Sequence, residues 1–158
     1  MNITVICTGR LKEKYLTAAA DEYKKRISRY GRLDIIELPD EKIPKNASAK
    51  EEERILEKEG AAVLSRMPPG AIVCALCIEG EPVSSEDIAG IMKDASMSGR
   101  PLALIIGSSL GLCEAVKKRA DKRLSFGRIT LPHQLMRVVL LEQIYRGYKI
   151  LAGETYHK

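Results

Sequence analysis

At 158 residues, 45% hydrophobic and 30% charged, the chain is long enough to bury a sizeable core and too apolar to stay disordered. One domain over residues 1–158 is the simplest expectation, and a net charge of +5 with a pI near 9.0 admits an anionic partner without selecting one. No run reaches the roughly 18 apolar residues of a membrane span. In MNITVICTGRLKEKY the basic residues follow the apolar run, the reverse of a secretory signal, so a cytoplasmic protein with reduced thiols is expected.

Apolar runs of strand length alternate with stretches of helical period. ITVICTG (3–9) predicts a first strand, and residues 11–30 a helix striped by Leu11, Tyr15, Ala18, Ala19, Tyr23 and Ile27. LDIIEL (33–38) predicts a second strand, closed by Pro39. The polar PDEKIPKNASAKEEE reads as a loop running into a helix capped by Ser48 with Glu51 or Glu52 and ending near Pro68-Pro69-Gly70. AIVCALCI (71–78) predicts a third strand, after which Gly80 and Pro82 turn the chain; SSED opens the next helix on Ser84 or Ser85. PLALIIG (101–107), wholly apolar, predicts a central strand covered on both faces. GSSLGL leads to a helix over about 113–119, RLSFGRI (123–129) to a short fifth strand, and a last helix begins after Pro132. This alternation predicts an α/β fold with a mostly parallel sheet flanked by helices.

Cys74 and Cys77 spell C-x-x-C, a spacing used by redox and zinc sites. Redox pairs sit at helix N-termini and zinc needs further ligands. This pair lies within a strand, where positions i and i+3 face opposite sides, so buried core thiols and no metal site are expected. The only histidines are His133 and His157, and no H-E-x-x-H, G-x-S-x-G or P-loop motif is present. In open α/β sheets ligands bind outside the carboxyl ends of the strands. Three such ends carry glycine, at 76–80, 107–111 and 125–130, where backbone can approach a ligand closely. Methyl transfer from a sulfonium needs positioning more than acid–base help, and suits this inventory.

The terminal helix is apolar nearly all round. At about 100° per residue, Leu135, Leu141, Ile144, Tyr145 and Tyr148 share one face, flanked by Met136, Leu140 and Leu151, with Glu142, Arg146 and Lys149 opposite. A helix of this kind is buried on most sides, which predicts a second copy of the chain as cover and hence a two-fold homodimer. Arg137 falls within the apolar face and needs an anionic partner. An acid such as Glu142 of a partner chain and a bound anion or substrate are both open.

IIGSSLGL, LSFGRITLPHQLMRVVLLEQIYRGYKIL and the closing GETYHK, together with GRLKEKYLTAAADEYKKRI, DIIELPDEK and EKEG, resemble the RlmH family of SPOUT-class methyltransferases over essentially the whole chain. The resemblance implies a SPOUT-type fold with a C-terminal trefoil knot, a homodimer, and S-adenosylmethionine bound in the knot. It implies methylation of N3 of a pseudouridine in 23S ribosomal RNA of assembled ribosomes, with the target at the subunit interface. Carried over residue by residue, the cofactor contacts are Leu76, Gly107, Phe126, Gly127, Arg128, Ile129, Thr130 and Leu131. Tyr156 and His157 match the tail that handles substrate; His133, Arg137, Arg146 and Lys158 are candidate RNA contacts. The competing reading is a non-enzymatic ribosome- or RNA-binding module that keeps the fold. Three positions depart from the family pattern: Ser108 stands for a second glycine, Cys77 for an acid, and Gly127-Arg128-Ile129 for Ser-Lys-Met.

Overall fold

The computed structural model describes residues 1–156. Its strands are β1 (Asn2–Thr8), β2 (Arg32–Leu38), β3 (Ile72–Pro82), β4 (Leu102–Ile106) and β5 (Lys122–Ser125). The helices between and after them are α1 (Lys14–Ile27), α2 (Ala49–Ser65), α3 (Ser85–Ser98), α4 (Glu114–Arg119) and α5 (His133–Leu151). All strands run parallel, in the order β2-β1-β4-β3-β5, so every carboxyl end opens on one edge of the sheet. β4 is central and buried along its whole length, as an unbroken LALII run requires. Helices α1, α5 and α3 cover one face, while α2 and α4 cover the other. Alternation along β1 feeds both cores: Ile3 and Val5 meet Leu140, Leu141 and Ile144, whereas Ile6 joins Val63 and Val116.

Two helix starts follow their local chemistry. Ser48 accepts from Glu51 N and Ser84 from Asp87 N, at 3.2 and 3.1 Å, and each acid reaches back to its cap residue's amide. Such boxes satisfy otherwise orphaned donors and contribute about 1 kcal/mol apiece. α3 stops on Gly99, whose φ of +67° reverses the chain.

β3 differs from its predicted extent. It runs four residues beyond Ile78, and Gly80 and Pro82 lie inside it instead of turning the chain. Both Leu76 and Glu81 stand opposite Leu124, so residues 77–80 bulge out between them. Gly80 lies flat on β5; a Cβ there would sit 2.8 Å from backbone atoms of Arg123 and Leu124. β5 is shorter than predicted and ends at Ser125, freeing 126–131 as a loop.

The C-x-x-C pair splits across the strand. Cys74 is sealed in the α1/α5/α3-side core, where burial pushes its thiol up to about 12, while half-buried Cys77 neighbours Glu79 and Lys117 of α4. All four cysteines are free. On α5 the buried stripe is Arg137, Leu140, Leu141, Ile144, Gly147 and Tyr148. Leu135 and Leu151 are 38% and 41% exposed in the single chain. Gly147, silent on a hydrophobic wheel, sets the rotation: its Cβ would lie 2.5 Å from Met92 Sδ, so α3 and α5 pack tightest there. Among the described residues no helix is long and apolar enough to cross a membrane.

Candidate functional site

The carboxyl edge of the sheet gathers five segments: 9–12 after β1, 39–41 after β2, the 77–80 bulge of β3, 107–112 after β4 and 126–131 after β5. The start of α5 is tied to the same edge. Lys12 N donates to Gln134 Oε1 at 3.0 Å, and Nε2 of half-buried His133 sits where a Cβ on Gly9 would come within 3.0 Å of it. Gly9 has φ +105°, a conformation open to glycine and hostile to larger residues. His133 makes no side-chain cap for α5, whose cap residue is Pro132.

Three adjacent strands, β4, β3 and β5, bring the predicted cofactor residues together. Leu76 is the last residue of β3 before the bulge. Gly107 leaves β4 with its Cα against the Gly111 carbonyl, so that any side chain would overlap that oxygen. The turn is closed by Gly111 N donating to Ser108 O at 2.9 Å. Ser108, in place of a second glycine, donates from Oγ to Glu59 Oε1 at 2.8 Å and accepts from Leu110 N at 3.3 Å. Gly127 has φ +115°, so glycine in place of serine suits this loop's backbone. The loop is pinned only at its start, where Ser125 Oγ donates to Gly127 O and accepts from Gly127 N, both at 3.2 Å. Beyond it, Arg128, Ile129 and Thr130 are exposed and their amides find no partner among the described residues. Glycine cradles beside unpaired backbone groups suit a small ligand recognised through main chain.

Arg137 lies outside that cradle, beneath β1 and β2. It is 2% exposed, donates from NH1 to Glu37 Oε2 at 2.6 Å and from NH2 to Gly9 O at 2.8 Å, and its Nε lacks a partner among the described residues. Its acid is therefore Glu37 of the same chain. Burial would raise the Glu37 carboxyl, but the guanidinium outweighs it and holds the group below its ordinary value. Cys7 beside them is pushed up to about 11 by burial, against the pull of Arg137.

Arg146 and Tyr156 form a second group further along α5. Arg146 pairs with Glu142 at 2.7 Å and lies 4.7 Å from the centre of the Tyr156 ring. Tyr156 donates to Glu142 Oε1 at 3.3 Å and packs edge-on against Tyr145 at 5.0 Å. Burial, then Glu142, pushes the Tyr156 hydroxyl up, so it stays a donor at neutral pH. His157 and Lys158 lie outside the described residues. Residue-type reasoning missed Glu59, 6% exposed on α2. Its signal was its place one turn from both Leu56 and Val63, on the apolar stripe of an otherwise acidic helix.

Comparison with known proteins agrees with this arrangement. The family model described as "Predicted SPOUT methyltransferase" matches residues 1–157. Proteins named "Ribosomal RNA large subunit methyltransferase H" are 55% identical in Clostridium novyi, 53% in Clostridioides difficile and 52% in Alkaliphilus oremlandii, each over 100% of both chains. A crystal structure of a methylase family protein from Neisseria gonorrhoeae shares the fold at TM-score 0.50 and 16% identity, covering 91% of this chain and 81% of its own. With a glycine-cradled edge on a parallel sheet and full-length similarity at these identities, the chain belongs to the RlmH family of SPOUT methyltransferases.

Proposed function

We propose that this enzyme transfers a methyl group from S-adenosylmethionine to N3 of a pseudouridine in 23S ribosomal RNA, acting in the cytoplasm on assembled ribosomes as a homodimer. The carrying observation is the end-to-end match to relatives named as ribosomal RNA large subunit methyltransferases. Leu76, Gly107 and Phe126 to Leu131 would hold the donor, largely by backbone, with the bare Cα of Gly107 letting the Gly111 carbonyl fold against it to shape the turn. When bound, the donor supplies an electrophilic methyl on a sulfonium, a good leaving group. The residues around it therefore need to position and desolvate more than to protonate.

Exposed Arg128 at the mouth of the loop suits a phosphate, a contact that orients RNA without reading its sequence. His133 flanks the same edge. Tyr156, held as a donor, suits orienting the target base better than accepting its proton; that proton is left to His157 or solvent. Arg146 stays charged beside Glu142 and can face RNA or a partner subunit. One feature supports the homodimer: Leu135, Val138, Val139 and Ile150 leave an apolar strip of α5 partly open, which a two-fold partner would cover. Membership of the SPOUT family supports a knotted path near the C-terminus, and two cores sharing one sheet support a single domain over 1–158.

The test is incubation with S-adenosylmethionine and unmethylated ribosomes, followed by mass spectrometry of the nucleosides. Methylpseudouridine is expected. Its absence where a close relative succeeds would sink the proposal. Ribosome retention without donor binding in calorimetry would favour a non-enzymatic binding module.

A further inference from the structure

Glu59 is an acid on the apolar stripe of α2, 6% exposed. A carboxyl is costly to remove from water unless its oxygens are met, and here both are. Oε1 accepts from Ser108 Oγ at 2.8 Å, and Oε2 accepts from Glu41 N at 3.2 Å. One side chain thus spans two segments that leave the sheet at the same edge: the loop after β2 and the turn after β4.

The Ser108 hydroxyl works as a relay. It donates to Glu59 and accepts from Leu110 N at 3.3 Å, so Glu59 fixes the rotamer that shapes the turn. Behind it, Gly60 lies so close to Cys113 that a Cβ would overlap the sulfur, which locks α2 against the segment following the turn. The acid therefore has little freedom to drift away from Ser108.

We propose that Glu59 is a positioning residue for the methyl donor. Through Ser108 it fixes the 108–111 turn, whose Gly111 carbonyl closes on buried Gly107, and so sets the wall that this turn presents to the ligand. This rests on reading the β4 turn as part of the donor site.

The experiment is calorimetry of S-adenosylmethionine with the full-length protein and five variants. Ser108→Ala and Glu59→Leu each weaken binding about tenfold, the worth of one hydrogen bond to an acid. The double variant is no weaker than either single one, because both sever one linkage. Glu59→Gln keeps an acceptor for the Ser108 hydroxyl and stays within about threefold of wild type. Val63→Ala, a cavity on the same helix, lowers the Tm but leaves donor affinity alone. In turnover the donor KM of Ser108→Ala rises, while kcat and the ribosome KM hold. Wild-type affinity in Ser108→Ala, or losses that add in the double variant, overturns the proposal while leaving the donor site standing. A wild-type protein that fails to bind S-adenosylmethionine overturns the donor site, and this role with it. Should Glu59→Leu not fold, Ser108→Ala and Glu59→Gln decide the matter.

Discussion

Removing Glu37 should cost more stability than removing Arg137, although the two share one ion pair. The side chain of Arg137 is 3% exposed and that of Glu37 is 39% exposed. In Glu37→Ala the guanidinium stays sealed with only the Gly9 carbonyl for company, a buried uncompensated charge worth about 3–5 kcal/mol of destabilisation. In Arg137→Met the cation is gone, its stem is replaced by a similar apolar one, and Glu37 can rehydrate; lost hydrogen bonds leave a cost of about 1–2 kcal/mol. Adding Arg137→Met to Glu37→Ala should therefore recover stability, with a coupling of about 1–3 kcal/mol. Urea unfolding at two protein concentrations measures this while separating self-association from folding. The pair also carries a pH signature. Because the folded Glu37 carboxyl lies below its unfolded value of about 4.3, its contribution is complete above that pH and is lost as pH falls through the folded value. The gap between wild type and Glu37→Ala should narrow in acid. Equal costs for the two single variants, or a coupling near zero, would refute the claim that desolvation of Arg137 governs this corner.

Gly107→Ala should abolish measurable S-adenosylmethionine binding in calorimetry, since its methyl displaces the Gly111 carbonyl. Gly80→Ala should lower stability by about 1–3 kcal/mol, by pressing on the β5 backbone 2.8 Å away. Thiol labelling of the native protein should reach half-buried Cys77 first, and slowly, because burial raises its pKa. Cys7, Cys74 and Cys113 should react only on unfolding, and labelling of Cys74 at a rate near that of Cys77 would contradict its seat in the core. Ribosome affinity should fall with added salt if phosphate contacts dominate; a flat response in filter binding would point to shape or stacking.

What was legible in the sequence was local. The caps at Ser48 and Ser84, the buried run of β4 and the glycine-bearing strand ends each depend on residues a few positions apart. β3 was misjudged because Gly80 and Pro82 carry turn chemistry, yet the neighbouring strand accepts a bulge there and pairing resumes. The partner of Arg137 was hidden because Glu37 lies one hundred residues away and only the strand order brings β2 beneath the start of α5. Glu59 sits among the acids of EEERILEKEG, and only its helical phase sets it apart. The proposed donor cradle rests on two routes, strand-end glycines and the family resemblance, whereas Tyr156 rests on resemblance alone.

The late place of α5 in the chain bears on how this protein can be made. A chain that has grown as far as Thr130 already holds all five strands, including the central one. One face of that sheet, with Ile3, Val5 and Leu104, still waits for Leu140, Leu141 and Ile144, and Glu37 still waits for its cation. Contacts so distant in sequence form slowly, and a half-covered sheet is prone to aggregate or to be held by chaperones. Completing this core therefore waits on α5, and a truncation before residue 133 should give inclusion bodies rather than a smaller soluble protein.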